Sequence, residues 1–235
     1  MIDLYAAGTS NGMRARIALE ECGLKYNWHP IDLTKGEHKT PQYLAMNPMG
    51  QIPVIVDNEG PGGKKITLSQ SSAIMVYCAE KAGKFIPKDP AKKAAMLEAY
   101  MSASTDITPG FGSINACVRA KDPAPYAAAG DMFKQRLKGY FKVWDDLLAK
   151  RKYAAGDEFT IADLSLYAGY WRTKGAFPEL VGGMANLERW GNETGARPGV
   201  QRALKIRSPG NGAASRAPSA RTNTSSICVG TRSRS

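Results

Sequence analysis

Two short segments carry the groups best able to do chemistry. Residues 8–12 read Gly-Thr-Ser-Asn-Gly and bring two hydroxyls, one carboxamide and several backbone N–H groups to the start of an expected helix. Donors there, with the positive end of the helix dipole, stabilise an anion. Plain helix capping is the competing use of Thr9, Ser10 and Asn11, since all three residue types cap well. Residues 68–74, Leu-Ser-Gln-Ser-Ser-Ala-Ile, open a second helix at Gln70 and Ser71, which offers a carboxylate its free N–H groups. Between the two lies Asn47-Pro-Met-Gly-Gln-Ile-Pro-Val-Ile-Val-Asp57, with Pro53 at the head of an apolar run. Proline has no N–H for a sheet ladder, so it belongs at a strand's start or on an edge. With a cis Ile52–Pro53 bond, the Ile52 backbone would turn outward, free to pair with an extended peptide. Peptide-like pairing beside an anion seat suits a small peptide with a free carboxylate.

Other chemistries find little support. The four cysteines, Cys22, Cys78, Cys117 and Cys228, are scattered, with no C-x-x-C pair and no metal-ligand spacing. Cys22 and Cys78 fall on apolar helical patterns and read as small buried hydrophobes. Only His29 and His38 supply imidazoles, so a multi-histidine metal site is excluded and no metal is expected. No glycine-rich phosphate loop is present, and no apolar run reaches the roughly 18 residues that span a bilayer. Neither a membrane partner nor a secretory leader is expected, which makes the cytoplasm the default compartment. The formal charge of +11 misleads about partners, because residues 206–235 hold five arginines and no acid. That tail is rich in Ser, Ala, Gly, Pro and Thr and cannot bury enough apolar surface to offset its ordering entropy. No aromatic residue interleaves its arginines for base stacking, so no nucleic-acid partner is expected. Residues 207–235 read as a basic, low-complexity, disordered extension.

The elements that must position these groups follow from periodicity. Residues 2–6 read as a strand, and Gly12 to Cys22 as a helix ended by Gly23. Tyr26 to Asp32 is a second strand, a short helix follows Pro41, and a third strand begins at Pro53. Asn58-Glu-Gly-Pro-Gly-Gly63 turns the chain into a hairpin through residues 65–68, and a helix from Ser71 through Lys81 completes βαβ-α-ββα. Residues 83–90 carry two prolines and no periodicity and read as a linker. From Ala91 the pattern is helical: a segment to Pro109, which should kink or end it, another from Tyr126 to Lys150, a third opened by a capping box at Thr160 and Asp163, and two last ones over Leu187–Glu193 and Gly199–Lys205. The expected architecture is α/β followed by all-α, with domains 1–82 and 91–206.

In order and spacing, Asn47-Pro-x-Gly-Gln-Ile-Pro-x-Ile-Val-Asp57 and Gln70-Ser-x-x-Ile74, with Thr9-x-Asn11-Gly12, resemble the glutathione transferase family over residues 1 to about 205. Ile2-Asp-Leu-Tyr5, Asp32-Leu33 and Lys35-Gly36 look most like its bacterial nu-type branch, some members of which are glutathione-dependent disulfide-bond oxidoreductases. The resemblance implies a thioredoxin-like glutathione-binding domain and an all-helical second domain. It also implies glutathione as co-substrate, a small hydrophobic electrophile or disulfide as partner, and a homodimer. Thr9 and Asn11 match the thiol contacts of that branch, while Ser10, four residues before Arg14, resembles the catalytic serine of other branches. Ile52 and Pro53 would meet the cysteinyl part, Ser71 the γ-glutamyl carboxylate, and Gln51 and His38 the glycyl end. Gln70 stands where most relatives carry glutamate, so it lacks the ion pair with the ammonium. Tyr5 lies inside the strand, too early for a thiol activator, and reads as packing. Thr105, Pro109, Phe111, Asn115 and Arg119 are candidates for an electrophile pocket by location alone. A non-catalytic relative used for protein contacts and a dedicated disulfide reductase, β-aryl etherase or dehalogenase remain open alternatives. A second apolar face, with Met75 and Cys78 on one helix and Met96, Ala99, Tyr100 and Ala103 on the next, suggests a partner surface.

Overall fold

The computed structural model describes residues 1–205; the expectation for the 207–235 tail falls outside the described residues. Four strands, β1 (Ile2–Ala6), β2 (Tyr26–Pro30), β3 (Val54–Asp57) and β4 (Ile66–Ser69), form one mixed sheet in the order β2-β1-β3-β4. β1 and β2 run parallel with Leu4 opposite Trp28, and β3 is antiparallel to both neighbours, Ile55 standing between Leu4 and Leu68. Every residue of β3 is buried, as a central strand covered on both faces requires. Three helices accompany the sheet: α1 (Ser10–Cys22), α2 (Pro41–Met46) and α3 (Ser71–Ala82). Gly23 ends α1 with φ 73°, the left-handed conformation its sequence position predicted. The order βαβ-α-ββα is the expected thioredoxin-like arrangement.

The helical domain comprises α4 (Pro90–Ser102), α5 (Thr108–Val118), α6 (Ala127–Leu148), α7 (Ile161–Ala176), α8 (Ala185–Gly195) and α9 (Pro198–Lys205). Helix α7 is central: all ten residues from Ile161 to Tyr170 are buried. α9 returns to the first domain, where Arg197 grips Glu21 with two hydrogen bonds of 2.9 and 2.6 Å and Arg202 bonds Glu20 at 2.7 Å.

Two expectations are corrected here. Pro109 does not end the helical run. A π-helical segment over Ala103–Ile107 carries α4 into α5, and the Thr108 N–H bonds Ala103 O, five residues back. Pro109 therefore enters at the first turn of α5, where a missing N–H costs little. Nor are Met75, Cys78, Met96, Ala99, Tyr100 and Ala103 a partner surface. All six are buried within one chain, because α3 packs on α1 and α7 while α4 packs on α7. Both apolar faces are consumed by packing within one chain, α3 on α1 inside the first domain and on α7 across to the second, and α4 on α7 inside the helical domain.

Candidate functional site

The first helix starts abruptly after β1. Thr9, in extended conformation, caps α1 by accepting the Gly12 N–H at 3.2 Å. A Cβ on Gly12 would sit 2.0 Å from Ala7 O, so only glycine lets the helix begin this close to the strand. Ser10 is the first residue of α1, and Asn11 follows it, half-buried.

The second helix begins with strain. Gln70 has φ 72° and ψ 112°, a conformation that costs a non-glycine residue about 1–3 kcal/mol and collects at ligand clamps. The turn it makes brings Ser71, buried at the head of α3, against the first turn of α1. Ser71 Oγ donates to Asn11 Oδ1 at 3.3 Å across 60 residues of sequence. Below them lies Arg14, only 2% exposed. Its Nη1 donates to Ser71 Oγ at 3.2 Å, and its Nη2 donates to Ser72 Oγ at 3.0 Å, Ser104 Oγ at 2.5 Å and Ser165 Oγ at 2.6 Å. Burial pulls the guanidinium's pKa down from its ordinary value. The sequence marked Arg14 only by its spacing from Ser10; its four serines come from three distant segments and share no motif.

The third part of the site is the turn into β3. The Ile52–Pro53 bond is cis, and the sheet ladders begin only at Val54, so the half-buried Ile52 stands outside them. The turn is held by Asn47 Nδ2 and Tyr43 Oη, which both donate to Gln51 O, at 2.6 and 2.9 Å. The sequence pattern contained Asn47 but did not show this bracing role, and Tyr43 carried no signal at all. Gln51 itself is exposed. His38 lies in the 3-10 turn Glu37–Lys39, half-buried, with a buried Nδ1 that has no hydrogen-bond partner. His38 O also lies 3.0 Å from where a Cβ on Gly50 would stand, so this turn abuts the Gly50–Gln51 corner.

Tyr5 stacks on His29 with ring centroids 4.5 Å apart, and burial, with Asp3 nearby, raises its pKa. The packing reading fits it. Burial pushes the Cys22 thiol up to about 11 and the Cys78 thiol higher still, so neither offers a thiolate at neutral pH. Asp163 is a structural acid: it is wholly buried and accepts from Ala154 N–H, Thr160 N–H and Trp190 Nε1. Of the residues named for an electrophile pocket, Thr105 is exposed and bonds Met101 O. Phe111 is buried against Phe177 and the Arg172 guanidinium, and Pro109, Asn115 and Arg119 lie on α5 or at its C-cap. The arrangement as a whole is two helix N-termini meeting at one point, a strained corner, an unpaired backbone edge and a buried cation.

Two family profiles match this chain: the glutathione S-transferase N-terminal domain over residues 10–81 and the glutathione S-transferase C-terminal domain over residues 113–207. A probable glutathione S-transferase of rice, GSTF2, is 32% identical over 88% of this chain and 97% of its own length. The disulfide-bond oxidoreductase YghU of Escherichia coli is 29% identical over 86% of this chain and 73% of its own. A glutathione transferase from Pseudomonas putida, solved with one glutathione disulfide per subunit, superposes with a TM-score of 0.79 at 29% identity, covering 87% of this chain and 91% of that one. The chain belongs to the glutathione transferase family.

Proposed function

We propose that this protein binds glutathione, lowers the pKa of its thiol and directs the thiolate at an electrophile or a disulfide. The observation that carries the reading is the Ser71–Asn11 hydrogen bond, which joins the N-termini of α1 and α3 at one point beside the unpaired Ile52. Asn11, with Thr9 and Ser10, donates to sulfur. The N-terminus of α3 at Ser71 receives the γ-glutamyl carboxylate, and Gln70 accepts from the ammonium. Ile52, ahead of Pro53, pairs with the cysteinyl backbone, and Gln51 with His38 meets the glycyl carboxylate. The unpartnered His38 Nδ1 supports the last assignment.

A disulfide substrate needs two thiols, and the buried cysteines supply none. A first glutathione thiolate attacks one sulfur, forming a mixed disulfide and releasing a thiolate. A second glutathione thiolate attacks the mixed disulfide, so that glutathione disulfide leaves and the substrate gains two electrons. The glutathione disulfide held by the Pseudomonas putida relative and the name of YghU favour this branch of the chemistry. We further take residues 1–82 as the glutathione-binding domain, 83–90 as linker and 91–206 as the helical domain, in a homodimer.

The test is titration of thiolate absorbance for bound glutathione. The wild type should titrate below the ordinary thiol value of about 8.5, and Asn11→Ala should raise the midpoint, costing about 1–3 kcal/mol for a lost bond to a charged group. A wild-type protein that does not retain glutathione sinks the reading. Turnover with a generic aryl halide against a small disulfide then separates transferase from reductase.

A further inference from the structure

The Ser71–Asn11 bond has a direction, and Arg14 biases it. A guanidinium only donates, so Ser71 Oγ turns one of its two lone pairs to Arg14 Nη1, 3.2 Å away. Its one hydrogen goes to Asn11 Oδ1 at 3.3 Å. Nδ2, with two N–H donors, is left on the far side of the amide. By taking one lone pair, and by favouring with its charge a hydroxyl hydrogen turned away from it, Arg14 disfavours the turned-over amide in which Ser71 accepts from Nδ2.

The charge on Arg14 is as unusual as its geometry. Its partners are four neutral hydroxyls, and its buried Nε has none. No carboxylate among the described residues stands within ion-pair distance of it. A buried cation is costly unless paired, and this one is held instead by both domains: Ser71 and Ser72 on α3, Ser104 on the π-helical segment, Ser165 on α7. The hydroxyl dipoles carry its field toward Asn11, and in a medium of low dielectric such a chain is strengthened along its length.

We propose that Arg14 is a positioning residue of the glutathione site: through Ser71 it locks the Asn11 amide with its N–H groups toward the sulfur, and it supplies the buried positive charge that the bound thiolate neutralises. The proposal deepens the glutathione reading and rests on it. A purely structural Arg14, serving only to bolt two domains together, would leave the thiol unaffected. The helical domain then takes part in thiol activation, although none of its residues needs to touch the sulfur.

The experiment is the thiolate titration of saturating bound glutathione in wild type, Arg14→Met, Arg14→Lys and Ser71→Ala, with thermal midpoints recorded in parallel. Arg14→Met keeps most of the volume and loses the charge; its titration midpoint should rise by about one pH unit or more, the size expected for losing a nearby opposite charge. Arg14→Lys should recover at least half of that rise. Ser71→Ala cuts the relay, freeing Arg14 Nη1 and Asn11 Oδ1 but leaving the Nη2 bonds to Ser72, Ser104 and Ser165 in place, and should raise the midpoint while the protein melts within a few degrees of wild type. A wild-type midpoint in Arg14→Met overturns the proposal, and so does an equal rise in the methionine and lysine variants. If Arg14→Met does not fold, Ser71→Ala decides, an unchanged midpoint there being fatal. A wild-type protein that fails to bind glutathione overturns the function itself, a result none of the variant comparisons can mimic.

Discussion

Gln70 adopts a positive-φ backbone conformation in which glycine, lacking a Cβ, meets less strain, and it opens the helix that the proposed carboxylate seat needs. The strain of about 1–3 kcal/mol exceeds the roughly 0.5–1 kcal/mol that glycine costs through unfolded-state entropy. Gln70→Gly should therefore stabilise the fold by about 1 kcal/mol while weakening glutathione binding, because the side-chain acceptor is gone. Urea midpoints and equilibrium dissociation constants for glutathione check both halves; a destabilised variant would mean the side chain does more for the fold than the backbone strain removes. At this scale the sequence was informative where chemistry is local. Thr9 is legible as the helix cap it makes, and Asn11, Gln70 and Ser71 by their place in the motifs that open the two helices. The partners of Arg14 are not, since Ser72, Ser104 and Ser165 are ordinary residues until folding brings them to one guanidinium.

Among the elements, α7 illustrates what a sequence signature can and cannot carry. The capping box was readable, and it forms: Asp163 accepts from Thr160 N–H at 2.9 Å, and Thr160 Oγ1 accepts from Ala162 N–H. Its wider use was hidden, because Ala154 and Trp190 reach Asp163 from segments 9 and 27 residues away. Burial holds its carboxyl above the usual carboxylate range, against the hydrogen bonds that favour the ion. Asp163→Ala would strand three buried N–H donors, and the loss should be about 3–5 kcal/mol. A chemical-denaturation midpoint measures it, while glutathione affinity per folded molecule should not change, since Asp163 lies outside the site. Helix α5 went unseen for the opposite reason. Pro109, Gly110 and Gly112 lower its intrinsic propensity, and only the π turn before it and the burial of Phe111, Ile114 and Cys117 make it a helix.

For the whole molecule, the burial of Met96 changes which residues can test assembly. Met96 is 1% exposed, so a glutamate there would disrupt the core under α4 rather than separate subunits. The outward side of α4 is different: Leu97 and Met101, one helical turn apart, are 38% and 47% exposed. On the first domain Met49, at the corner before the Ile52 turn, is 67% exposed. Apolar side chains displayed on both domains fit a two-fold pairing in which the first domain of one copy faces the second domain of the other. In such an interface each substitution is felt twice. Leu97→Glu combined with Met101→Glu should therefore convert dimers to monomers, and, because both positions face outward, the monomer should keep its fold as judged by circular dichroism. Light scattering at micromolar concentration reads the outcome. A wild-type mass of one chain would defeat the pairing, and a double variant that stays dimeric would move the interface away from α4.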